Sequence, residues 1–114
     1  MAITEYKTGS ATIGTTEYSV VTPGTTLAND TTDGVFQAFL DPMNMAAGDQ
    51  FRVRVYEKVT SGGSKRVVYE STLAGPQAEA LAFPSLILLH GWDVTITKLA
   101  GTDRSFSWSI RQVA

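Results

Sequence analysis

The sequence predicts an all-β protein, an antiparallel β-sandwich of jelly-roll or immunoglobulin-like type with about seven or eight strands. Three observations predict it. Apolar and polar side chains alternate over several short segments, which is the period of a strand with one buried face. Turn-forming residues recur between these segments at intervals of about 8 to 12 residues. Threonine, which suits a pleated sheet, occurs fifteen times.

Size and composition indicate a single domain over residues 1–114. The chain has a mass of 12.3 kDa, with 43% hydrophobic and 18% charged residues, which is ordinary for a globular protein with its own core. The net charge of −2 gives no basic excess for nucleic acid, and no apolar run approaches the roughly 20 residues that span a membrane. We therefore expect neither nucleic acid nor membrane as a partner.

The reactive residues are few. Without cysteine and with one histidine, the chain cannot form a disulfide, a zinc ribbon, a thiol nucleophile or a multi-histidine metal site. We predict a protein that is not an enzyme, with no catalytic residues, no metal site and no cofactor.

The clearest element is a hairpin in the middle of the chain. Over Asp49–Thr60 the side chains alternate, with Phe51, Val53 and Val55 forming the apolar, core-facing row. Ser61–Ser64 contains two glycines that suit a tight turn. Lys65–Leu73 is predicted to return as the partner strand.

A second hairpin is predicted at the end of the chain. Trp92, Val94 and Ile96 alternate with polar residues before a turn at Ala100–Asp103. Three more residues then alternate in the returning strand. Both rows are predicted to face the core, and the serine and threonine rows to face solvent or another protein. The returning residues are Phe106, Trp108 and Ile110.

The remaining segments are less regular. Four further strands and one helical turn are expected from β-propensity and turn signals. The expected strands are Ala2–Thr8, Ala11–Val21, Val35–Leu40 and Phe83–Leu89, and the helical turn is Pro76–Leu81.

Two groups of residues could suggest a catalytic site and a calcium site, and both have a simpler structural explanation. His90 lies near Asp93, but alternation places the two on opposite strand faces, and no serine elbow is present. We expect His90 to be a strand-end residue bonded to backbone or water. Four loop aspartates do not reproduce a calcium-binding loop and are typical of Asx turns; they are Asp30, Asp33, Asp41 and Asp49.

Basic and aromatic residues could form binding surfaces. The five basic residues are interpreted as part of a solvated sheet face with mixed charge and cross-strand pairs; they are Arg52, Arg54, Lys65, Arg66 and Arg104. A carbohydrate-binding module would need exposed aromatics. Trp92 and Trp108 share their rows with aliphatic residues and are predicted to be core, which leaves Tyr6, Tyr18 and Tyr56 for the surface.

An apolar excess predicts an interface. A sandwich core of this size does not accommodate every residue of Leu86–Leu89 together with Met43 and Met45, and an exposed apolar patch on a soluble domain indicates association. Residues 1–8 could form an N-terminal arm that adds a strand to another protein. The candidate interface residues are Ile3, Tyr6, Met43, Met45, Leu86 and Leu88.

Three stretches over the C-terminal two thirds of the chain carry a family resemblance. They are Gly34–Asp41 (GVFQAFLD), Ala47–Lys58 (AGDQFRVRVYEK) with the glycine turn that follows, and Gly91–Arg111 with its Ala-Gly-Thr turn. They resemble small all-β structural proteins encoded among the capsid genes of tailed bacteriophages. The resemblance implies a decoration, or cement, protein that is made in the host cytoplasm, binds the outside of an icosahedral shell and stabilises it.

On this resemblance the expected partners are the major capsid protein and copies of the chain itself, for example as a trimer, and the expected location is the capsid surface. Two alternatives remain open at this point. One is a different phage component, from the tail tube, the head-completion machinery or the receptor-binding apparatus. The other is a carbohydrate-binding β-sandwich module.

Overall fold

The structure, a computed structural model, describes residues 2–113, and these form a β-sandwich of two four-stranded antiparallel sheets. No helix occurs among the described residues, so none of them forms a helix that could cross a bilayer. The eight strands are β1 (Ile3–Ile13), β2 (Tyr18–Ser19), β3 (Gly34–Asp41), β4 (Gln50–Lys58), β5 (Lys65–Ala74), β6 (Leu81–Leu88), β7 (Trp92–Ala100) and β8 (Arg104–Val113). The predicted fold class is confirmed.

Sheet A has the strand order β1-β8-β3-β6, and sheet B has the order β2-β7-β4-β5. The core lies between them. Phe51 of sheet B meets Phe106 of sheet A with ring centroids 4.8 Å apart, and Trp92 meets Phe36 at the same distance. All nine residues predicted as core are buried: Phe51, Val53, Val55, Trp92, Val94, Ile96, Phe106, Trp108 and Ile110.

The central hairpin forms as predicted, because its turn and both strands are local in sequence. β4 pairs with β5 from Gln50↔Ala74 to Lys58↔Lys65, and a register shift between Val55 and Tyr56 makes β5 bulge around Val68. β5 forms the edge of sheet B.

The predicted second hairpin is wrong. β7 pairs with β2 and β4 in sheet B, whereas β8 pairs with β1 and β3 in sheet A. The chain crosses from one sheet to the other at Gly101, which has a φ of +90°. Alternation alone cannot distinguish a hairpin from such a crossing, because the apolar rows face the same core in both cases.

Three other segments differ from prediction. The first two expected strands are replaced by the continuous strand β1 and the two-residue strand β2, because Gly9 stays within β1 and packs under Trp108. The expected helical turn at Pro76–Leu81 does not form; residues 75–80 are a non-helical connection before β6.

The expected N-terminal arm is not free. Ile3–Thr8 pairs with β8 as part of β1, because this pairing satisfies its backbone groups and packs the Tyr6 ring against Phe36 and Trp92. Met1 lies outside the described residues.

The two long sides of the sandwich differ. On the side of β1 and β2, the segment 20–33 closes the gap: Tyr6 donates a hydrogen bond to Asp30 (2.8 Å), and the backbones of Asp30 and Trp92 exchange two hydrogen bonds of 2.9 Å. On the opposite side, the edges of β5 and β6 border an open groove of about 430 Å³. We call this side the open edge.

Candidate protein-binding surface

The residues around His90 build a structural corner. The Glu57 carboxylate accepts backbone N–H bonds from Leu89 (2.6 Å), His90 (3.2 Å) and Gly91 (3.0 Å). This holds the connection between β6 and β7 against β4. No local sequence motif predicts this role of Glu57, because its partners lie more than thirty residues away along the chain.

Asp93 does not act with His90. Its carboxylate is buried and accepts hydrogen bonds from the Ser19 hydroxyl (2.6 Å) and from the backbone N–H of Ala28 (2.8 Å). Burial raises the pKa of Asp93, and these bonds oppose the rise. The carboxylate therefore anchors segment 20–33 to sheet B.

The polar row of β7 was expected to face solvent or another protein, and this is wrong for Asp93, Thr95 and Thr97. All three are buried. Thr95 donates to the Glu17 carboxylate (2.5 Å), and Asp93 binds Ser19 and Ala28. These side chains are buried because residues that follow β1 return across the outer face of β7.

The loop aspartates serve the backbone. Asp30 and Asp41 accept N–H bonds from Thr32 (2.8 Å) and Met43 (3.1 Å), two residues along the chain, as expected for Asx turns. Within residues 2–113, no group of three or more His, Asp or Glu side chains is placed to hold a metal ion.

Asp49 is buried and joins two loops. It accepts hydrogen bonds from the backbone N–H groups of Thr102 (3.0 Å) and Ala46 (2.9 Å) and from the Arg104 guanidinium (2.7 Å). These bonds, led by that from Thr102, lower the pKa of Asp49 to about 2. The carboxylate fixes the crossing between the sheets.

The five basic residues do not form one stripe. Arg54 pairs across strands with Glu70 (2.5 Å), an exposed contact worth about 0 to 1 kcal/mol. Arg104 pairs with Asp49, and Lys65 donates to the Ala28 carbonyl. Arg66 is exposed and lies opposite Glu57 in the register. Arg54, Arg104 and Lys65 therefore have local partners, whereas the buried Nε of Arg52 has none among the described residues.

The aromatic residues are mostly turned inward. Trp92 and Trp108 are buried, and Tyr6, Tyr18 and Tyr56 are half-buried. Among the tyrosines and tryptophans of the described chain, Tyr69 is the exposed one, at 48%. This does not provide the set of coplanar rings that a sugar-stacking platform needs.

The predicted interface residues divide into two groups. Ile3 and Met43 are exposed, at 67% and 69%, and Tyr6 is half-buried. The prediction is wrong for Met45, Leu86 and Leu88, which are buried. Leu86 and Leu88 face the core because β6 alternates like an ordinary strand, and Met45 turns inward after the turn that its N–H closes on Pro42 (3.0 Å).

Apolar residues on the outer face of sheet A form a row, in which Ile3, Val35 and Ile87 are exposed and Val113 is half-buried. Ile3 pairs with Val113, Val113 with Val35, and Val35 with Ile87, so the four lie in register across all four strands of sheet A. Directly paired residues share a sheet face. Val35 and Ile87 point away from the core, and Ile87 is 78% exposed. We call these four residues the apolar row.

A second exposed apolar group lies on the open edge. Val67, Val68 and Tyr69 follow one another on β5, where the bulge turns neighbouring side chains outward. The groove beside them is lined by Glu57, Val68, Tyr69, Ser85, Ile87 and Leu88. The apolar row and the open edge therefore adjoin at Ile87 but face different directions, one outward from sheet A and the other sideways.

Comparisons with known proteins inform the fold. No family model matches the sequence, and no curated protein matches it. The chain is similar in structure to a mitogen derived from Yersinia pseudotuberculosis, with 14% identity, a TM-score of 0.53, and coverage of 99% of this chain and 86% of the mitogen. It is also similar to a Bacillus endospore appendage, one of the disulfide-linked pili, with 18% identity, a TM-score of 0.51, and coverage of 97% and 88%.

At these identities the likeness shows the fold alone. The Bacillus appendage is described as disulfide-linked. The present chain contains no cysteine, so the linkage named for that pilus has no counterpart here.

Proposed function

We propose that the chain is a virion structural protein, a decoration protein that binds the outer surface of an icosahedral phage shell and stabilises it. The observation that carries the proposal is the pair of exposed apolar surfaces, the apolar row and the open edge. A soluble domain with exposed apolar patches is typically a binding protein.

Two adjoining surfaces that face different directions suit this role. A decoration protein contacts the shell with one surface and neighbouring copies with another. Binding to the assembled shell but not to separate capsid subunits raises the free energy of disassembly by mass action. Contacts between copies add avidity, so each single interface can be weak.

The open edge is the proposed contact with the major capsid protein. β5 is ten residues long and pairs with another strand on one side only, and it contains no proline. Its free backbone groups can pair with an added strand from the capsid protein, and the groove can receive an apolar side chain of that strand. By contrast, the edge strand β6 contains Pro84, which cannot donate to an added strand.

Co-sedimentation with expanded capsids of the phage that encodes the chain tests the proposal. We expect stoichiometric pelleting that saturates at a symmetric copy number. Val68→Asp places a charge on the open edge and should reduce binding at least tenfold. Leu27→Asp is the matched control, because Leu27 is exposed to a similar degree (42%, against 40% for Val68) but lies in segment 20–33 on the opposite side of the sandwich; it should bind like the wild type.

Absence of the wild-type protein from the shell pellet would overturn the decoration role. Tail or head-completion assemblies would then be the next particles to test. Equal binding by Val68→Asp and the wild type would instead remove the open edge as the shell contact.

A further inference from the structure

The outer face of sheet A is ordered in rows that run across the strands. The apolar row lies at one end of the strands. The next row contains Glu5, Arg111 and Gln37, which are in register on β1, β8 and β3. At the opposite end, Ser10, Ser107 and Asp41 form a polar row. One end of the face is therefore apolar and the other polar.

We propose that this face binds the same face of a second copy of the chain, about a two-fold axis parallel to the strands. Such an axis reverses the strand order but keeps the apolar ends together. Ile3 then faces Ile87 of the second copy, and Val113 faces Val35. The apolar row is covered by its own symmetry mate, as in an isologous interface. The proposal deepens the decoration role by naming the surface through which copies meet.

The alternative in-plane axis fits worse. A two-fold axis perpendicular to the strands exchanges their ends and places the apolar row of one copy over Ser10, Ser107 and Asp41 of the other. Burial of the Asp41 carboxylate against isoleucine and valine would be costly, because its hydrogen bond from the Met43 N–H (3.1 Å) does not neutralise the charge. The distribution of apolar residues along the strands therefore selects the axis parallel to them.

The charges agree with this choice. Reversal of the strand order places Arg111 of β8 over Gln37 of β3 in the second copy, and Glu5 of β1 over the β6 edge. Neither Arg111 nor Glu5 therefore faces the same residue of the second copy. Within one chain the Ser109 hydroxyl donates to Glu5 (2.6 Å) and accepts from Arg111 (3.3 Å), so the row is already locally neutral. No like-charge repulsion opposes the stacking.

The area of the face reaches the lower end of the range for a specific contact, which is about 600 Å² on each partner. Four strands spaced about 4.8 Å apart, with a rise of about 3.3 Å per residue, give a face of roughly 500 to 700 Å² before side-chain relief is counted. A standard interface buries about 800 Å² on each partner. Stacked sheets pack about 10 Å apart with aligned strands, which is the geometry proposed for this pair.

The test measures oligomeric mass without shells, so that it is independent of the decoration role. Light scattering across concentration should show a dimer for the wild type. Ile87→Asp should shift the chain to a monomer, because it places a charge in the apolar row. Val59→Asp is the matched control: Val59 is exposed to a similar degree, at 71%, but lies in the β4–β5 turn. It should remain dimeric.

Cross-linking tests the axis. Because the chain has no cysteine of its own, any disulfide between copies must join the introduced cysteines. Its formation therefore shows which two positions lie close together. A mixture of Ile3→Cys and Ile87→Cys chains should form a disulfide between copies on mild oxidation, whereas Ile87→Cys alone should not. A monomeric or trimeric wild type, or preferential cross-linking of Ile87→Cys with itself, would overturn the proposal.

Failure here and failure of the decoration role are distinguishable. A dimer that does not pellet with shells would retain this interface and remove the shell function. A monomer that decorates shells would retain the shell function and remove this interface between copies.

Discussion

Asp49 shows how one side chain can fix a crossing between two sheets. It is bonded to the loop before β4 through Ala46, to the loop before β8 through Thr102, and to the first residue of β8, Arg104. The sequence predicted an Asx turn at this position but not the distant partners, because a hydrogen bond across 53 or 55 residues leaves no local pattern.

The low pKa of Asp49 predicts acid sensitivity. The pKa falls from 3.8 to about 2 on folding, so the ionised carboxylate stabilises the folded state above pH 4. That contribution is lost as the pH falls from about 4 to about 2. We expect the free energy of unfolding, measured with denaturant at several pH values, to decrease over this interval. Asp49→Asn should be less stable at pH 7 and should show a smaller decrease.

Asp33→Asn, a change at an exposed aspartate, controls for the general effect of removing a carboxylate and should retain the wild-type pH profile. An unchanged pH profile in Asp49→Asn would show that this carboxylate does not link stability to pH.

Substitution of Trp108 tests whether the predicted core residues of β8 face the core. Its side chain is buried between Gly9 and Tyr18, with the Tyr18 ring centroid 5.7 Å away. Trp108→Ala should destabilise the protein by about 3 to 5 kcal/mol, as for other large-to-small core changes. Met43→Ala, at an exposed site, should change stability by less than about 0.5 kcal/mol. Chemical denaturation measures both, and similar values would contradict the burial of Trp108.

At the scale of elements, prediction succeeded where pairing is local. The β4–β5 hairpin carries its turn and both strands within 25 residues, from Gln50 to Ala74. The separation of β7 from β8 could not be predicted in this way, since both strands have the alternation of a hairpin. The sequence did contain a turn signal at Gly101, but not the information that the turn changes sheets.

Gly101 therefore provides an element-scale prediction. Its φ of +90° disfavours side chains, and an added Cβ would approach the Asp49 Cα to 2.7 Å. Gly101→Ala should destabilise the protein by about 1 to 3 kcal/mol through backbone strain, with the displacement of Asp49 in addition. Gly24→Ala is the control, because a Cβ there has no heavy atom within 4 Å. Equal thermal midpoints for the two variants would contradict this account.

At the scale of the whole molecule, the sequence predicted the class and the core rows but misplaced part of the surface. The length of the apolar run predicts Leu86 and Leu88 on the surface, because a core of this size does not accommodate every residue of the run. The structure shows instead that Leu86 and Leu88 are buried and that Ile87 and Leu89 are left outside. The apolar row could not be predicted either, because it combines four strands whose order across the sheet does not follow the chain.

The N-terminal segment gives the prediction that depends on the whole fold. Removal of residues 1–8 deletes five of the ten register pairs between β1 and β8 and removes Tyr6 from Phe36 and Trp92. This exposes the edge of β8 and one side of the core. We expect the truncated chain to lose several kcal/mol of stability and to unfold at a lower denaturant concentration, since buried aromatic contacts and strand pairing are lost together.

Thr4→Ala, an exposed change that keeps β1 intact, is the control and should retain nearly all of the stability. The alternative is a dispensable arm, for which truncation would leave the unfolding curve unchanged and affect only binding to shells. Measurement of unfolding and of shell binding on the same truncated protein separates the two: an edge strand is required for the fold, whereas an arm is required only for attachment.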